Sequence, residues 1–233
     1  MKKIILTLTK ALLTAGLVLS LGKIAIKSNA YVEADKTIKE VVSIKESNNS
    51  EDASEKLSNT NDDYKFWLSI DNTKINHPVV QGEDNEFYLN HDFKKSKNSA
   101  GSIFIDSKVN SDSKNTVVYG HNMKDGSMFA DIELFKNEEF FNNNKFIVVE
   151  KDGIQYVYEV FSVYYLSGEN TDYLQTNFSS DKEFADFIHL AKERSIFDSN
   201  KEISSENILT LSTCSYEANN FRTAVHAQLV GTI

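Results

Sequence analysis

The chain has 233 residues, among them 25 basic and 34 acidic side chains, which give a formal net charge of −9. Residues 1–30 contain five lysines and no acidic residue, so the remaining residues carry 20 basic against 34 acidic side chains and a net charge of −14. Nucleic acids and anionic lipids bind to basic surfaces, and a body this acidic therefore argues against both as partners.

The first 30 residues have the pattern of a targeting or anchoring segment. A Met-Lys-Lys start precedes an apolar stretch from Ile4 to Ile26, and these 23 residues can span a bilayer if Lys10 lies near the interface. Ser-Asn-Ala at residues 28–30 offers small residues for a signal peptidase, so a cleaved and secreted form stays open. We predict an N-terminal membrane anchor at residues 1–30 and a body at the extracellular face of the cell membrane.

Residues 31–61 are rich in Ser, Asn, Glu, Lys and Asp and contain no aromatic residue after Tyr31. This composition predicts a solvated polar stalk over residues 31–61, with no more than transient helix. Aromatic residues return at Tyr64, and the folded domain is predicted to cover residues 62–233. A single cysteine excludes an intramolecular disulfide, so this domain must be stabilised by its apolar core.

The first half of the predicted domain consists of short apolar segments separated by polar turns. A first strand is predicted over residues 74–81, where Pro78, the only proline, indicates an edge or a bulge. Two further β-branched runs predict strands at residues 102–106 and 115–119. Residues 127–141 place apolar side chains on one helical face and predict a helix.

The second half is also rich in strands. Residues 145–149 and 154–163 flank an Asp-Gly turn and predict a hairpin. The capping-box pattern Ser180-x-x-Glu183 predicts a helix. Its buried stripe comprises Phe184, Phe187, Ile188 and Ala191. With one more strand on either side of residues 215–221, the pattern indicates a mostly β fold, a barrel or a sandwich with added helices.

The only cysteine, Cys214, lies at the end of an apolar strand, where a rigid element gives way to a loop. A lone cysteine in an exported protein is a candidate reactive thiol, and the alternative is a small buried core residue. His121 follows a second β-branched strand and Gly120 in the same manner. If the two strands pair in one sheet, both side chains project from the same rim.

Arg222 is the third candidate, since it opens the strand that follows Cys214. Its guanidinium would suit a developing oxyanion, and the alternative is a surface ion pair with Glu217. Metal binding is disfavoured, because one cysteine and widely spaced histidines match no closed zinc set. The sequence contains neither a Gly-rich phosphate loop nor a G-x-S-x-G elbow, so we expect no cofactor.

These residues lie in motifs that resemble those of the sortases, the transpeptidases that attach proteins to Gram-positive cell walls. Thr-Leu-Ser-Thr-Cys at residues 210–214 resembles their TLxTC signature, and Tyr-Gly-His-Asn-Met at residues 119–123 resembles the segment of their catalytic histidine. Arg222 falls where their arginine does. The class B pattern is matched at residues 67–70, 78–81, 88–90 and 101–104, and the resemblance covers residues 62–233. It implies an eight-stranded β-barrel with peripheral α-helices.

The resemblance also implies a reaction. Cys214 would attack the threonine carbonyl of a C-terminal Pro-x-Thr type sorting signal and form a thioester, with His121 as general acid/base and Arg222 as the oxyanion and substrate stabiliser. An amine of a peptidoglycan precursor or cross-bridge would then accept the surface protein. The implied substrate-groove residues are Asn85, Leu89, Tyr173, Leu174 and Ser212. Ser215 stands where some class B members have an acidic residue.

Two alternatives remain open at the level of the sequence. An exported cysteine peptidase of the papain type would hydrolyse peptides, but such enzymes place Cys before His and orient the His with Asn or Asp. A non-catalytic surface binding module would need no thiol, and its function would survive Cys214→Ala.

Overall fold

The computed structural model describes the backbone of residues 2–233 and the side chains of residues 10, 13–22 and 32–233. The four α-helices are α1 Lys2–Glu46, α2 Ser50–Thr60, α3 Glu138–Asn143 and α4 Asp181–Arg194. The strands are β1 Tyr64–Ile70, β2 Asn76–Val80, β3 Ile103–Ile105, β4 Asn115–Tyr119, β5 Phe146–Lys151, β6 Ile154–Ser167, β7 Ile208–Ser215 and β8 Phe221–Thr232. Short 3₁₀ helices cover Phe87–Leu89, Ala130–Lys136 and Asp172–Leu174.

The eight strands close into a barrel in the order β1-β2-β3-β4-β7-β8-β6-β5. Closure leaves no free sheet edge, and the inward-facing apolar side chains form the largest core cluster, which includes Leu68, Val118 and Leu211. The predicted eight-stranded barrel with peripheral helices is confirmed, and the sandwich that the strand pattern also allowed is excluded.

The order of the strands brings the two candidate rims together. β4 and β7 pair in parallel, with Tyr119 opposite Ser212, so the segments that follow both strands emerge at the same end of the barrel. β7 and β8 pair antiparallel, with Cys214 opposite Arg222. His121 is thereby placed at the same end of adjacent strands as Cys214 and Arg222, which lie about 90 to 100 positions later in the sequence.

The structure differs from the sequence-based expectations at three places. β1 precedes the predicted first strand; it was missed because it is buried on both faces and lacks an alternating pattern. The predicted helix at residues 127–141 is a 3₁₀ helix followed by α3, because the Asn137 side chain accepts a hydrogen bond from the Phe140 amide and caps a new helix. Pro78 lies in an interior strand of the closed barrel, just before Val79, where β2 begins to pair with β3.

The predicted solvated stalk at residues 31–61 is instead helical and partly packed on the barrel. Val41 of α1 and Leu57 of α2 are completely buried against a cluster that includes Trp67 and Tyr88. The Lys45 ammonium also pairs with the Glu150 carboxylate of β5. The few apolar residues of this polar stretch recur one helical turn apart, which gives each helix a narrow buried face.

The predicted anchor at residues 1–30 falls largely on residues whose side chains lie outside the described part, namely 1–9, 11–12 and 23–31. A search confined to the described residues finds no helix with the length and apolar character needed to cross a bilayer. The anchor therefore stays a prediction.

Candidate active site

Cys214 is exposed at the C-terminal end of β7. Its neighbours Thr213 and Ser215 point to the opposite face of the strand and are buried. A buried core cysteine is therefore excluded, and the thiol is open to a ligand.

His121 lies two residues after Tyr119, and Cys214 lies two residues after Ser212, the residue that pairs with Tyr119. The two residues therefore lie at the same level of the barrel end. Gly120 makes this approach possible, because a Cβ at this position would lie 2.6 Å from the ring of Phe129. The Gly120 carbonyl accepts a hydrogen bond from the Thr213 hydroxyl at 2.8 Å, and its amide donates to the Ser212 carbonyl at 3.3 Å. The segment that carries the histidine is thus fastened to the strand that carries the cysteine.

Asn122 adds a direct connection that the sequence did not reveal. Its side-chain amide donates to the Cys214 carbonyl at 2.8 Å, while its own backbone carbonyl accepts from the Tyr216 hydroxyl at 3.0 Å. Asn122 was visible only as part of the motif around His121, and nothing in the sequence assigned it a partner 92 positions away.

Arg222 is half-buried opposite Cys214 and donates from Nη1 to the Phe221 carbonyl at 3.0 Å. Among the described residues it makes no salt bridge. The ion pair with Glu217 considered as its alternative is not formed, because Glu217 pairs with Lys136, which also bonds Glu133 at 2.6 Å. The Arg222 charge is therefore available to a ligand at this rim.

A cavity of about 390 Å³ joins these groups. It is lined by the three candidate catalytic residues Cys214, His121 and Arg222, and by three of the predicted substrate residues, Asn85, Leu89 and Ser212. Phe104, Tyr119, Gly120 and Thr213 complete the wall. The cavity thus contains a thiol, an imidazole and a guanidinium on a largely apolar surface.

The other two predicted substrate residues lie outside this cavity. Tyr173 is buried behind it, and its hydroxyl is 2.9 Å from the Ser212 hydroxyl. Burial raises the pKa of Tyr173, while the Ser212 hydrogen bond and the charge of Arg222 oppose the increase. Leu174 lines a neighbouring cavity of about 460 Å³ that shares Asn85 and Tyr119 with the first.

The buried carboxylate of Asp106 holds two residues of the wall, and sequence reasoning missed it. One carboxylate oxygen accepts from the Tyr119 hydroxyl at 2.7 Å and from the Asn85 amide at 3.0 Å. Burial and this hydrogen bond raise the pKa of Tyr119, which therefore stays protonated as a donor. Asp106 orients Asn85 toward the cavity without lining it.

The other histidines are not part of this site. His226 is completely buried; its Nδ1 lies 2.8 Å from the Thr210 hydroxyl, and its Nε2 lies 2.8 Å from the Tyr164 hydroxyl. Because Thr210 donates its only hydroxyl hydrogen to Asn115, His226 must donate from Nδ1 and accept from Tyr164 at Nε2. Burial lowers the pKa of His226 to about 3, which agrees with this neutral ring.

The chain offers few other candidates for chemistry. Within the part of the chain that the structure describes, no three His, Cys, Asp or Glu residues are grouped as metal ligands. A larger cavity, of about 720 Å³, opens at the other end of the barrel and is lined by residues such as Lys151, Tyr156 and Tyr158. It contains no cysteine or histidine, so we assign the chemistry to the smaller cavity.

Comparison with known proteins gives a consistent picture. The family model described as the sortase domain matches residues 68–230. The sortase B of Staphylococcus aureus is 32% identical over 181 residues, which cover 76% of this chain and 74% of that protein. The sortase B of Listeria monocytogenes is 39% identical over 166 residues, which cover 69% of this chain and 66% of that protein.

Solved structures agree with the curated relatives. The structure of Clostridium perfringens sortase B superimposes with a TM-score of 0.74 at 41% identity, covering 76% of this chain and 99% of the other. A Staphylococcus aureus sortase B–substrate complex superimposes with a TM-score of 0.75 at 28% identity, covering 87% of this chain and 97% of the other. The barrel and its peripheral helices therefore have close structural counterparts.

Proposed function

We propose how this chain, which belongs to the sortase family and is a cell wall transpeptidase of the sortase B type, selects and transfers its substrate. The resemblance to class B sortases and the prediction of an enzyme are confirmed at this level. In our proposal the enzyme cleaves a C-terminal Pro-x-Thr type sorting signal after its threonine and transfers the surface protein to a peptidoglycan amine.

Cys214 acts as the nucleophile. Its sulfur attacks the threonine carbonyl, the carbon–nitrogen bond after the threonine breaks, and a thioester joins the substrate to the enzyme. An incoming amine attacks the thioester, forms a new amide bond and releases the thiol. The exposure of Cys214 on the cavity wall supports this role.

His121 acts as the general acid and base. It takes up the thiol proton, passes it to the leaving amine, and later accepts a proton from the incoming amine. Arg222 stabilises the negative charge that develops on the carbonyl oxygen, because its guanidinium lines the same cavity and has no carboxylate partner among the described residues.

The substrate occupies the cavity between Cys214 and the Phe87–Leu89 turn. Asn85, Leu89 and Ser212 contact the substrate. The Asp106 carboxylate fixes the orientation of the Asn85 side chain by accepting a hydrogen bond from its amide. Tyr173 supports the wall through Ser212, and Leu174 extends the groove into the neighbouring cavity. One relative has been solved as a sortase B–substrate complex, which supports substrate binding by a protein of this fold.

In this proposal the enzyme works at the extracellular face of the cell membrane, attached through residues 1–30. The length of the apolar stretch from Ile4 to Ile26 supports an anchor of this kind. The partners are surface proteins that carry the sorting signal and a peptidoglycan precursor or cross-bridge that supplies the amine.

The observation that carries the proposal is that a single cavity presents Cys214, His121 and Arg222 together with the predicted groove residues. The experiment incubates the full chain with a small library of Pro-x-Thr peptides, with and without triglycine as the amine. Mass spectrometry should find a thioester on Cys214, and amine-dependent product whose new amide bond follows the threonine.

Matched variants separate the possibilities. Cys214→Ala and His121→Ala should abolish product, whereas Ser215→Ala, next to the nucleophile but on the buried face, should retain most of it. Cleavage without amine incorporation would indicate a cysteine peptidase instead. The absence of any thioester with every peptide would contradict the proposal.

A further inference from the structure

The imidazole of His121 has a fixed hydrogen-bond partner outside the catalytic set. Its Nε2 atom lies 2.7 Å from the backbone carbonyl oxygen of Leu89. A carbonyl oxygen can only accept, so this contact requires a hydrogen on Nε2. The neutral ring is then the Nε2–H tautomer, and Nδ1 carries the free lone pair.

The Leu89 carbonyl is held in place by the turn that contains it. The Asp84 carboxylate accepts from the amides of Glu86 and Phe87, each at 2.8 Å, and the Leu89 amide donates to the Glu86 carbonyl at 3.2 Å. The preceding residue, Tyr88, is completely buried, and its carbonyl accepts from the Ser102 amide at 2.9 Å. The acceptor is therefore part of a rigid turn.

Gly101 packs directly against this turn. It has a φ of +62°, and a Cβ at this position would lie 2.5 Å from the Tyr88 oxygen and 2.8 Å from the Leu89 oxygen. Any larger residue at position 101 must displace the Leu89 carbonyl that accepts from His121. A substitution of Gly101 therefore moves the acceptor without changing a residue that lines the cavity.

We propose that the Leu89 carbonyl is the positioning group of the general acid/base, which keeps His121 in the Nε2–H tautomer and leaves Nδ1 as the atom that exchanges protons. The proposal rests on the function proposed above. In the reaction, Nδ1 takes the thiol proton as the thiolate forms, Nε2 stays bonded to Leu89, and Nδ1 returns the proton to the leaving amine as the carbon–nitrogen bond breaks.

Leu89 itself also lines the cavity. A peptide bound in the cavity would therefore contact the turn whose carbonyl orients His121. Cysteine peptidases of the papain type use an Asn or Asp side chain to orient their histidine, and here a backbone carbonyl has that place.

The direct test is the tautomer of His121 in the unmodified full chain. With ¹⁵N-labelled histidine, two-bond proton–nitrogen correlation spectra at a pH where the ring is neutral distinguish the two tautomers, and His121→Gln identifies the signals among the five histidines. We expect a protonated Nε2 and an unprotonated Nδ1. A dominant Nδ1–H tautomer, or an even mixture, would overturn the proposal whether or not the chain transfers any peptide.

The second test moves the acceptor. Gly101→Ala should lower kcat for transpeptidation by about tenfold or more, with a smaller effect on KM, and should produce a mixture of tautomers. Gly153→Ala is the matched control: it also has a positive φ, of +79°, but its Cβ would meet only the side chain of Glu51. A Gly101→Ala enzyme with the kcat and the tautomer of the control would overturn the proposal. If Gly101→Ala fails to fold, the tautomer of the unmodified chain decides.

Discussion

At the scale of single residues, the candidate site depends on backbone contacts as much as on its three reactive side chains. Thr213 and Asn122 each donate a side-chain hydrogen bond to a carbonyl of the facing segment, and these two bonds help to hold the histidine-bearing and cysteine-bearing segments together. Each amide or hydroxyl bond of this kind contributes about 1 kcal/mol to stability. Their larger effect is to fix the relative position of Cys214 and His121.

Gly120→Ala tests how closely this position is fixed. The new methyl group would overlap the Phe129 ring, so we expect a loss of about 1–3 kcal/mol in the free energy of unfolding and a reduced kcat. Urea denaturation and transpeptidation measure the two effects. Gly231→Ala is the control, because a Cβ there meets nothing within 4 Å and should change neither quantity. Equal stability of the two variants would contradict the packing argument.

The chemistry of the site was the part most accessible from the sequence. A thiol and an imidazole that each follow a β-branched strand, with an arginine across the next turn, predicted the groups that the cavity brings together. Asp106 and the Leu89 carbonyl were not predictable in the same way. The first contacts Asn85 and Tyr119 only in the folded barrel, and the second is a backbone atom that carries no sequence signal.

At the scale of secondary structure, the strands that the sequence revealed are β-branched or apolar runs bounded by turns. The β5–β6 hairpin and α4 follow their predicted signals, and the Ser180 hydroxyl caps α4 by accepting from the Glu183 amide. β1 could not be recognised from the sequence. The N-terminal helices cover its outer face, and the apolar Trp67 on that face interrupts the alternation of polar and apolar residues. The N-terminal helices themselves were hidden, because their buried residues are few.

Leu57→Ala tests the packing of α2 on the barrel. Leu57 is completely buried, so its truncation should cost about 2–5 kcal/mol in the free energy of unfolding, whereas a residue in a solvated stalk would cost nothing. Urea denaturation of the full chain measures the difference. Leu134→Ala is a suitable control, because Leu134 is 40% exposed and should cost much less. Equal losses of stability in the two variants would contradict the packing of α2 and support the predicted solvated stalk.

At the scale of the whole molecule, the fold buries two histidines, His77 on β2 and His226 on β8, against Phe187 of α4. Burial lowers the pKa of His226 to about 3 and that of His77 to about 4. His77 Nδ1 has no hydrogen-bond partner within the described residues. Between these values and the ordinary pKa near 6.5, the unfolded chain binds protons that the folded chain does not. The stability is therefore complete above about pH 6.5 and is lost as the pH falls toward 4 and 3.

The pH dependence can be measured by urea denaturation at pH 7 and pH 5. As the pH falls from 6.5 to 5, the lowered folded-state pKa of each of the two histidines should reduce the free energy of unfolding by about 2 kcal/mol. His226→Gln should be less stable at pH 7, because the ring bridges Thr210 and Tyr164, but should lose less on acidification. An unaltered slope in His226→Gln would contradict the assignment.

The parallel pairing of β4 with β7 has a consequence for the timing of activity. The histidine arrives with β4, but the cysteine and the arginine arrive with β7 and β8, after six strands have already emerged during synthesis. Contacts between such distant segments form late and slowly, because the intervening chain must first be ordered. Cys214 therefore meets His121 only when the barrel closes. A nascent chain that ends before β7 has the histidine but no thiol, so in the proposed mechanism the folding of the last two strands completes the active site.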